Sequence, residues 1–212
     1  MTPDDRTALD GLPLLAVDLE TTGLSPARDQ VLAVGWVPVN GTRIDLSGAR
    51  RHVVRRDDPG EAVTIHGLTH DDLEGGRPLA EVLAELRSAL SGRVLLAHHA
   101  PFDVAFLEAA FRSIGEHPVR QPTVCTMRLQ RRLLGDHGAL APGALRLWRA
   151  RERHGLPTAK AHDALGDALA CAELYLAQIA ELDRGSPLQL RDVRLRESWP
   201  HRLLVWLRDR RG

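Results

Sequence analysis

Two of the 212 residues are cysteine, Cys125 and Cys171, and no CxxC pair occurs. A disulfide framework and a thiolate zinc site are therefore not indicated, and a reducing cytoplasm fits the chain. Aromatic residues are also scarce, with three Phe, four Trp and one Tyr. That is too few for the repeated base-stacking platforms of a protein that coats single strands. Basic and acidic residues balance at 28 each, so the bulk positive field of a non-specific nucleic-acid coat is missing as well. Long apolar runs are absent. Leu12 to Val17 falls far short of the roughly 20 residues that cross a bilayer, and Asp4, Asp5 and Arg6 before it do not resemble the start of a secretory signal. Neither export nor a membrane partner is expected, and neither internal repeats nor low-complexity segments are seen.

What is present is ordinary globular material, 43% hydrophobic and 26% charged, enough to bury a real core. At about 150 residues per domain, the length favours one domain with an appendage. The charge balance hides an asymmetry that suggests where the appendage begins. Residues 184–212 hold eight Arg against Asp192, Glu197 and Asp209, a net of +5, which leaves −5 on residues 1–183. We therefore expect a domain over 1–183 and an Arg-rich C-terminal appendage over 184–212.

Leu12–Val17 and Val31–Val37 read as buried strands, with Asn40-Gly41 as a hairpin signal. Thr42–Leu46 and Arg51–Arg56 extend this into an antiparallel meander. Leu79, Val82, Leu83, Leu86 and Leu90 then repeat at helical spacing, Val94–Ala97 reads as a strand, and Pro101 marks a helix start. A further strand is expected next, and residues 126–135, 142–154 and 163–183 are helix-compatible. Trp36 and Trp148 are expected in the core.

Three element ends carry groups capable of chemistry. Asp18 and Glu20 lie two apart at the end of a strand, so they share a face. Asp103 falls in the first turn after Pro101, where a helix dipole favours an acid. His162 and Asp167 flank the opening of the last long helix, with Asp163 as a candidate cap. Each feature alone has a bland structural reading; the combination does not.

The stretches Val17 to Leu24, Ile65 to Thr69, His98 to Asp103 and His162 to Asp167 together resemble the successive motifs of the DEDD-type 3′-to-5′ exonucleases. The histidine in the fourth motif is that of the DEDDh branch, which includes the proofreading epsilon subunit of bacterial DNA polymerase III, ribonuclease T and oligoribonuclease. The resemblance covers about residues 12–183. It implies an α/β, RNase H-like fold, a mixed central sheet flanked by helices. It also implies that Asp18, Glu20, Asp103 and Asp167 hold two divalent metal ions. Physical chemistry agrees, because four clustered carboxylates need a multivalent cation and all-oxygen donors suit Mg²⁺ or Mn²⁺.

On the same resemblance His162 is the general base, with an ordinary pKa near 6.5 suited to taking a proton from an attacking water. Thr21, Thr22, Gly23 and Leu24 would approach the terminal nucleotide, and His66 and Leu68 would border the same pocket. His99 stands where the family most often has asparagine. The implied activity is phosphodiester hydrolysis at a single-stranded nucleic-acid 3′ end, releasing nucleoside 5′-monophosphates, with DNA as the favoured substrate. An exoribonuclease acting on RNA or short oligonucleotides is the alternative enzyme, and an inactive docking module of a polymerase or nuclease complex is the alternative of another class. In the appendage, Ser198 and Pro200 mark a helix start, and Leu203, Trp206 and Leu207 form an apolar stripe. This stripe reads either as a strap on the core or as a tail that contacts nucleic acid or a protein partner.

Overall fold

The computed structural model describes residues 2–56, 67–135, 140–158, 163–183, 185 and 187–195. Strand β1 (Pro13–Thr21) is covered on both faces, which is why its sequence stays apolar until Asp18. Leu15, Val17 and Leu19 enter one apolar cluster, while Leu14 and Ala16 enter another on the opposite face. Asp18 and Glu20 continue that second face to the carboxyl end of the strand.

Strand β2 (Val31–Asn40) runs antiparallel to β1, turns at Gly41 and returns as the two-residue β3 (Arg43–Ile44). The expected meander is corrected at the next step. Because β3 covers only Val39 and Asn40, the β2 edge from Ala33 to Trp36 is left open, and β4 (Arg50–Val53) pairs there. Backbone groups on an edge seek partners, so the longer strand recruits both short ones.

Helix α1 (His70–Glu74) starts on a reciprocal Thr69–Asp72 capping box. Then come α2 (Leu79–Leu90), β5 (Val94–Ala97), α3 (Ala100–Ser113), β6 (Thr123–Cys125), α4 (Thr126–Leu134), α5 (Leu147–Arg153), α6 (Ala164–Leu182) and α7 (Leu190–Val193). Strand β5 pairs parallel to β1 and β6 parallel to β5, giving the order β3-β2-β1-β5-β6 with β4 beside β2. This is the mixed sheet flanked by helices that the resemblance implied, here with six strands.

Helices α2 and α3 cover one face through Val82, Leu83, Leu86, Phe106 and Phe111. Helix α6 covers the other with Cys171, Ala172, Tyr175 and Ile179. Both cysteines are buried and free. Trp36 is buried as expected, but Trp148 is not: it is 49% exposed, with the Arg149 guanidinium 4.2 Å above its ring. Helix α5 is short and Arg-rich, and buries only Ala150 and Arg151. After α6 the chain returns to the N-terminal segment. The Leu9 amide donates to the Leu188 carbonyl and the Leu190 amide to the Thr7 carbonyl, and Leu190 and Val193 join the α6-side cluster.

Gly35 sets where α6 begins. It pairs across from Asp18, and a Cβ added there would lie 2.2 Å from the carbonyl carbon of Ala164. The start of α6 thus rests directly on β2 backbone, which carries its acids to the end of β1. Gly35→Ala is expected to push α6 off the sheet, lowering stability by about 1–3 kcal/mol, the usual range for overpacking. It should also weaken Mg²⁺ or Mn²⁺ binding. Thermal unfolding and a metal titration check this; an unchanged metal affinity would show that the close approach does not place the acids.

Candidate active site

Three element ends meet at the carboxyl edge of the sheet. At the end of β1, the pairing with β2 slips between Glu20, opposite Ala33, and Thr21, opposite Val31. An irregularity of this kind re-aims the chain locally. Strand β5 runs parallel to β1, so its carboxyl end opens on the same edge, and α3 starts immediately after it. With a proline in its first turn, α3 presents Asp103 there, 4% exposed. The third end is the start of α6. The Asp163 carboxylate caps it by accepting from the Gly166 amide at 3.0 Å, and one turn in, the Asp167 amide donates to the Asp163 carbonyl at 2.8 Å.

One carboxylate oxygen from each of Asp18, Glu20 and Asp167 lies within 4.8 Å of the others. At that separation two like charges repel by roughly 3–4 kcal/mol in an effective dielectric near 20. Asp103 is outside this tight set but within its field. Burial raises the Asp18 carboxyl well above its ordinary range, and Asp103, Asp167, Glu20 and Asp163 push it further. Glu20 is raised to about 7, by burial first and then by Asp167 and Asp163, against an opposing pull from Arg51. Asp103 is raised to about 7 by burial, with Glu20 adding to the rise and its backbone hydrogen bond opposing it. Such a set gathers cation rather than protons only when a multivalent ion is supplied. Its all-oxygen donors fit a hard divalent ion.

Residues 15–175 match the family model described as exonuclease. The chain belongs to the DEDDh-type 3′-to-5′ exonuclease family. The DNA polymerase III epsilon subunit of Treponema pallidum is 30% identical over 168 residues, covering 78% of this chain and 75% of that protein. A PolC-type DNA polymerase III of Thermotoga maritima is 29% identical over 178 residues, 82% of this chain. The present chain spans only 12% of the length of that polymerase. Among solved structures, exonuclease X in complex with 5′-overhanging duplex DNA has a TM-score of 0.64 at 22% identity, over 84% of this chain and 98% of that one. The zinc-bound Escherichia coli exonuclease I–single-stranded DNA complex has a TM-score of 0.70 at 19% identity, over 82% and 41%. At these identities the two structures share the fold.

In this member of the family the loop after β1 is organised by a residue that the motifs did not single out, Asp29. Its carboxylate accepts from the Ser25 amide at 2.7 Å and from the Thr22 hydroxyl at 3.4 Å, and it fills the space a Cβ on Gly23 would need. The Thr21 hydroxyl donates to the Gly23 carbonyl. Leu68 is buried in a small cluster with Leu32, Leu73 and Ala164. His99 precedes α3 and stacks on Phe102, with 6.1 Å between ring centroids. His98, next to it, is bonded to the Thr126 hydroxyl and the Leu145 carbonyl, and burial lowers its pKa to about 4. His162 and His66 lie outside the described residues.

Two arginines were also missed. Arg51 on β4 pairs with Asp163 at 2.7 Å, tying the sheet edge to the α6 cap beside the acids. Arg151 is buried, paired with Glu173 at 2.7 Å, and donates to the Pro157 carbonyl at 2.9 Å. That bond anchors the chain five positions before His162.

The acids give this chain an unusual pH dependence. Asp18, Glu20 and Asp103 hold their protons more tightly folded than unfolded, where carboxyls titrate near 4. Between about pH 4 and pH 7 the folded state then binds more protons, so stability present at low pH is lost as pH rises through that window. Asp72 and Glu85 are shifted the other way, by hydrogen bonds from Thr69 and Arg77, so the stability they add is present above about pH 4 and is lost as pH falls below it. In excess chelator the melting temperature is expected to fall between pH 5 and pH 7, and Mg²⁺ should reduce the fall. A flat or rising profile in chelator would contradict the charge balance.

Proposed function

We propose that this chain is a divalent-metal-dependent exonuclease that removes nucleoside 5′-monophosphates from single-stranded 3′ ends, with DNA favoured over RNA. The observation that carries this reading is the approach of Asp18, Glu20 and Asp167 to within 4.8 Å at the carboxyl edge of the sheet. Asp103 completes the donor set from the first turn of α3. Together the four acids would hold two Mg²⁺ or Mn²⁺ ions, which when bound supply positive charge to ready the attacking water and to stabilise the departing 3′ oxygen.

The chain's own groups do the remainder. His162, next in sequence before the Asp163 cap, accepts the proton of the attacking water. Thr21, Thr22, Gly23 and Leu24 present the β1 loop to the terminal nucleotide, with Asp29 holding the loop in shape. His66 and Leu68 border the nucleotide, and His99 takes the place of a substrate-facing amide. The free, buried cysteines, whose thiols burial keeps protonated, are compatible with the reducing cytoplasm proposed for the chain. Among the described residues no helix is long and apolar enough to cross a membrane.

The test uses 5′-labelled DNA and RNA oligonucleotides of matched sequence, with Mg²⁺, Mn²⁺ or excess chelator. Stepwise shortening from the 3′ end, release of 5′-monophosphates and faster turnover of DNA are expected, all lost in chelator. Asp167→Asn should lower the rate by at least ~100-fold, the loss of a direct ligand exceeding that of an outer partner. Asp163→Ala should keep much of the rate while costing about 0.5–2 kcal/mol of stability as a lost cap. His162→Ala should lose hydrolysis and keep metal binding. Faster RNA turnover would install the exoribonuclease reading, and cleavage surviving chelation would reject the mechanism.

A further inference from the structure

Strand register places a cation beside the acids. Arg51 of β4 pairs across from Gly35 of β2, and Gly35 pairs across from Asp18 of β1. Residues directly opposed in a sheet present their side chains to one face, so Arg51 and Asp18 share a face with backbones about 10 Å apart, two strand spacings. Gly35 between them has no side chain, and the start of α6 occupies that space at Ala164. Arg51 and Asp18 therefore flank the same helix start.

The Arg51 guanidinium meets Asp163 through Nε, 2.7 Å from Oδ1, and both side chains are 37% exposed, open enough for a ligand to reach. Its two terminal nitrogens, Nη1 and Nη2, have no hydrogen-bond partner among the described residues. Other arginines of this chain are engaged through those atoms. Arg77 gives them to Glu85 and Glu81, and Arg151 to the carbonyls of Ala170 and Pro157. A guanidinium held by Nε keeps its outer edge for a second partner, and that planar pair of donors matches the oxygens of a phosphate. The positive charge is felt on two sides, lowering both Glu20 in the acid site and Asp72 in the α1 cap.

We infer that Arg51 is a substrate-binding residue: Asp163 holds it through Nε, and Nη1 and Nη2 grip a backbone phosphate of the strand whose 3′ end lies at the acids. This rests on the exonuclease reading above. The Asp163 pair orients the long side chain beforehand, which reduces the ordering cost of binding. A phosphate contact carries no base information, so the grip is independent of sequence. The contact persists through the reaction, and its strength enters KM and not kcat.

Steady-state hydrolysis of a 5′-labelled single-stranded oligonucleotide in saturating Mg²⁺ or Mn²⁺ tests this. The unsubstituted chain is compared with Arg51→Gln, Arg51→Lys and Arg112→Gln, the last a cation in the final turn of α3. Arg51→Gln should raise KM ~10-fold with kcat held within about twofold, the effect of losing a charge-assisted bond common to ground and transition states. Its slope of log(kcat/KM) against log salt should be shallower by about 0.7, one single-strand phosphate contact. Arg51→Lys should restore the slope and part of KM, because it keeps the charge and lacks the planar fork. Arg112→Gln should match the unsubstituted chain. The rise in melting temperature that metal gives should be equal in all four proteins, which separates a lost phosphate contact from a displaced α6. An unchanged slope in Arg51→Gln, or a fall in kcat at constant KM, would overturn the inference and leave Arg51 as a brace for the α6 cap. An unsubstituted chain inactive with both metals would instead fail the exonuclease reading and this one with it.

Discussion

The mutual repulsion of carboxylates forced together at the end of β1 constrains everything around them. Asp18, Glu20 and Asp167 present oxygens within 4.8 Å of one another, and Asp103 adds its field from α3. A fold selected for stability alone would not gather them, because burial and like charge both raise the free energy of their ionised forms. Burial raises the Glu20 and Asp103 carboxyls first, and their like-charged neighbours add to the rise. Arg51 offsets only part of it, since it is shared with Asp163 on the surface.

The sheet is arranged to hold that conflict in place. Apolar packing on both faces holds β1 in the core up to Ala16 and Val17, and the acids follow directly after it. Parallel pairing of β1 and β5 puts two carboxyl ends on one edge, where ligands of open α/β sheets bind. Gly35 removes the side chain that would hold α6 away. Remote parts contribute in the same sense. The buried Arg151 fixes the chain ahead of α6 through Pro157, and Asp29 fixes the loop after β1.

Much of this was legible in the sequence, for reasons that particular residues make plain. The spacing of Leu79, Val82, Leu83, Leu86 and Leu90 reports a helix with one buried face, and α2 spans those residues. Asp18 and Glu20 could be placed on one face from period two alone, and Asp163 could be read as a cap from its place before Ala164. Pairing register was not legible. Nothing local says that a two-residue β3 leaves the β2 edge to β4, so the position of Arg51 opposite Gly35, and hence beside the acids, was hidden. Trp148 misled because residue type alone favours burial, whereas α5 has too little apolar surface to bury it. Asp29 and Arg151 act through tertiary bonds to partners four and more positions away, which no spacing rule reports.

The central claim is that the site trades stability for cation affinity, and one paired measurement addresses it directly. Melting temperatures of the unsubstituted chain and of Asp18→Asn are compared at neutral pH in chelator and in saturating Mg²⁺ or Mn²⁺. Removing one charge from the repelling set should raise the metal-free melting temperature. The same substitution should abolish most of the rise that metal gives the unsubstituted chain by binding only its folded state. A variant that melts lower without metal and keeps the full metal-induced rise would contradict the account.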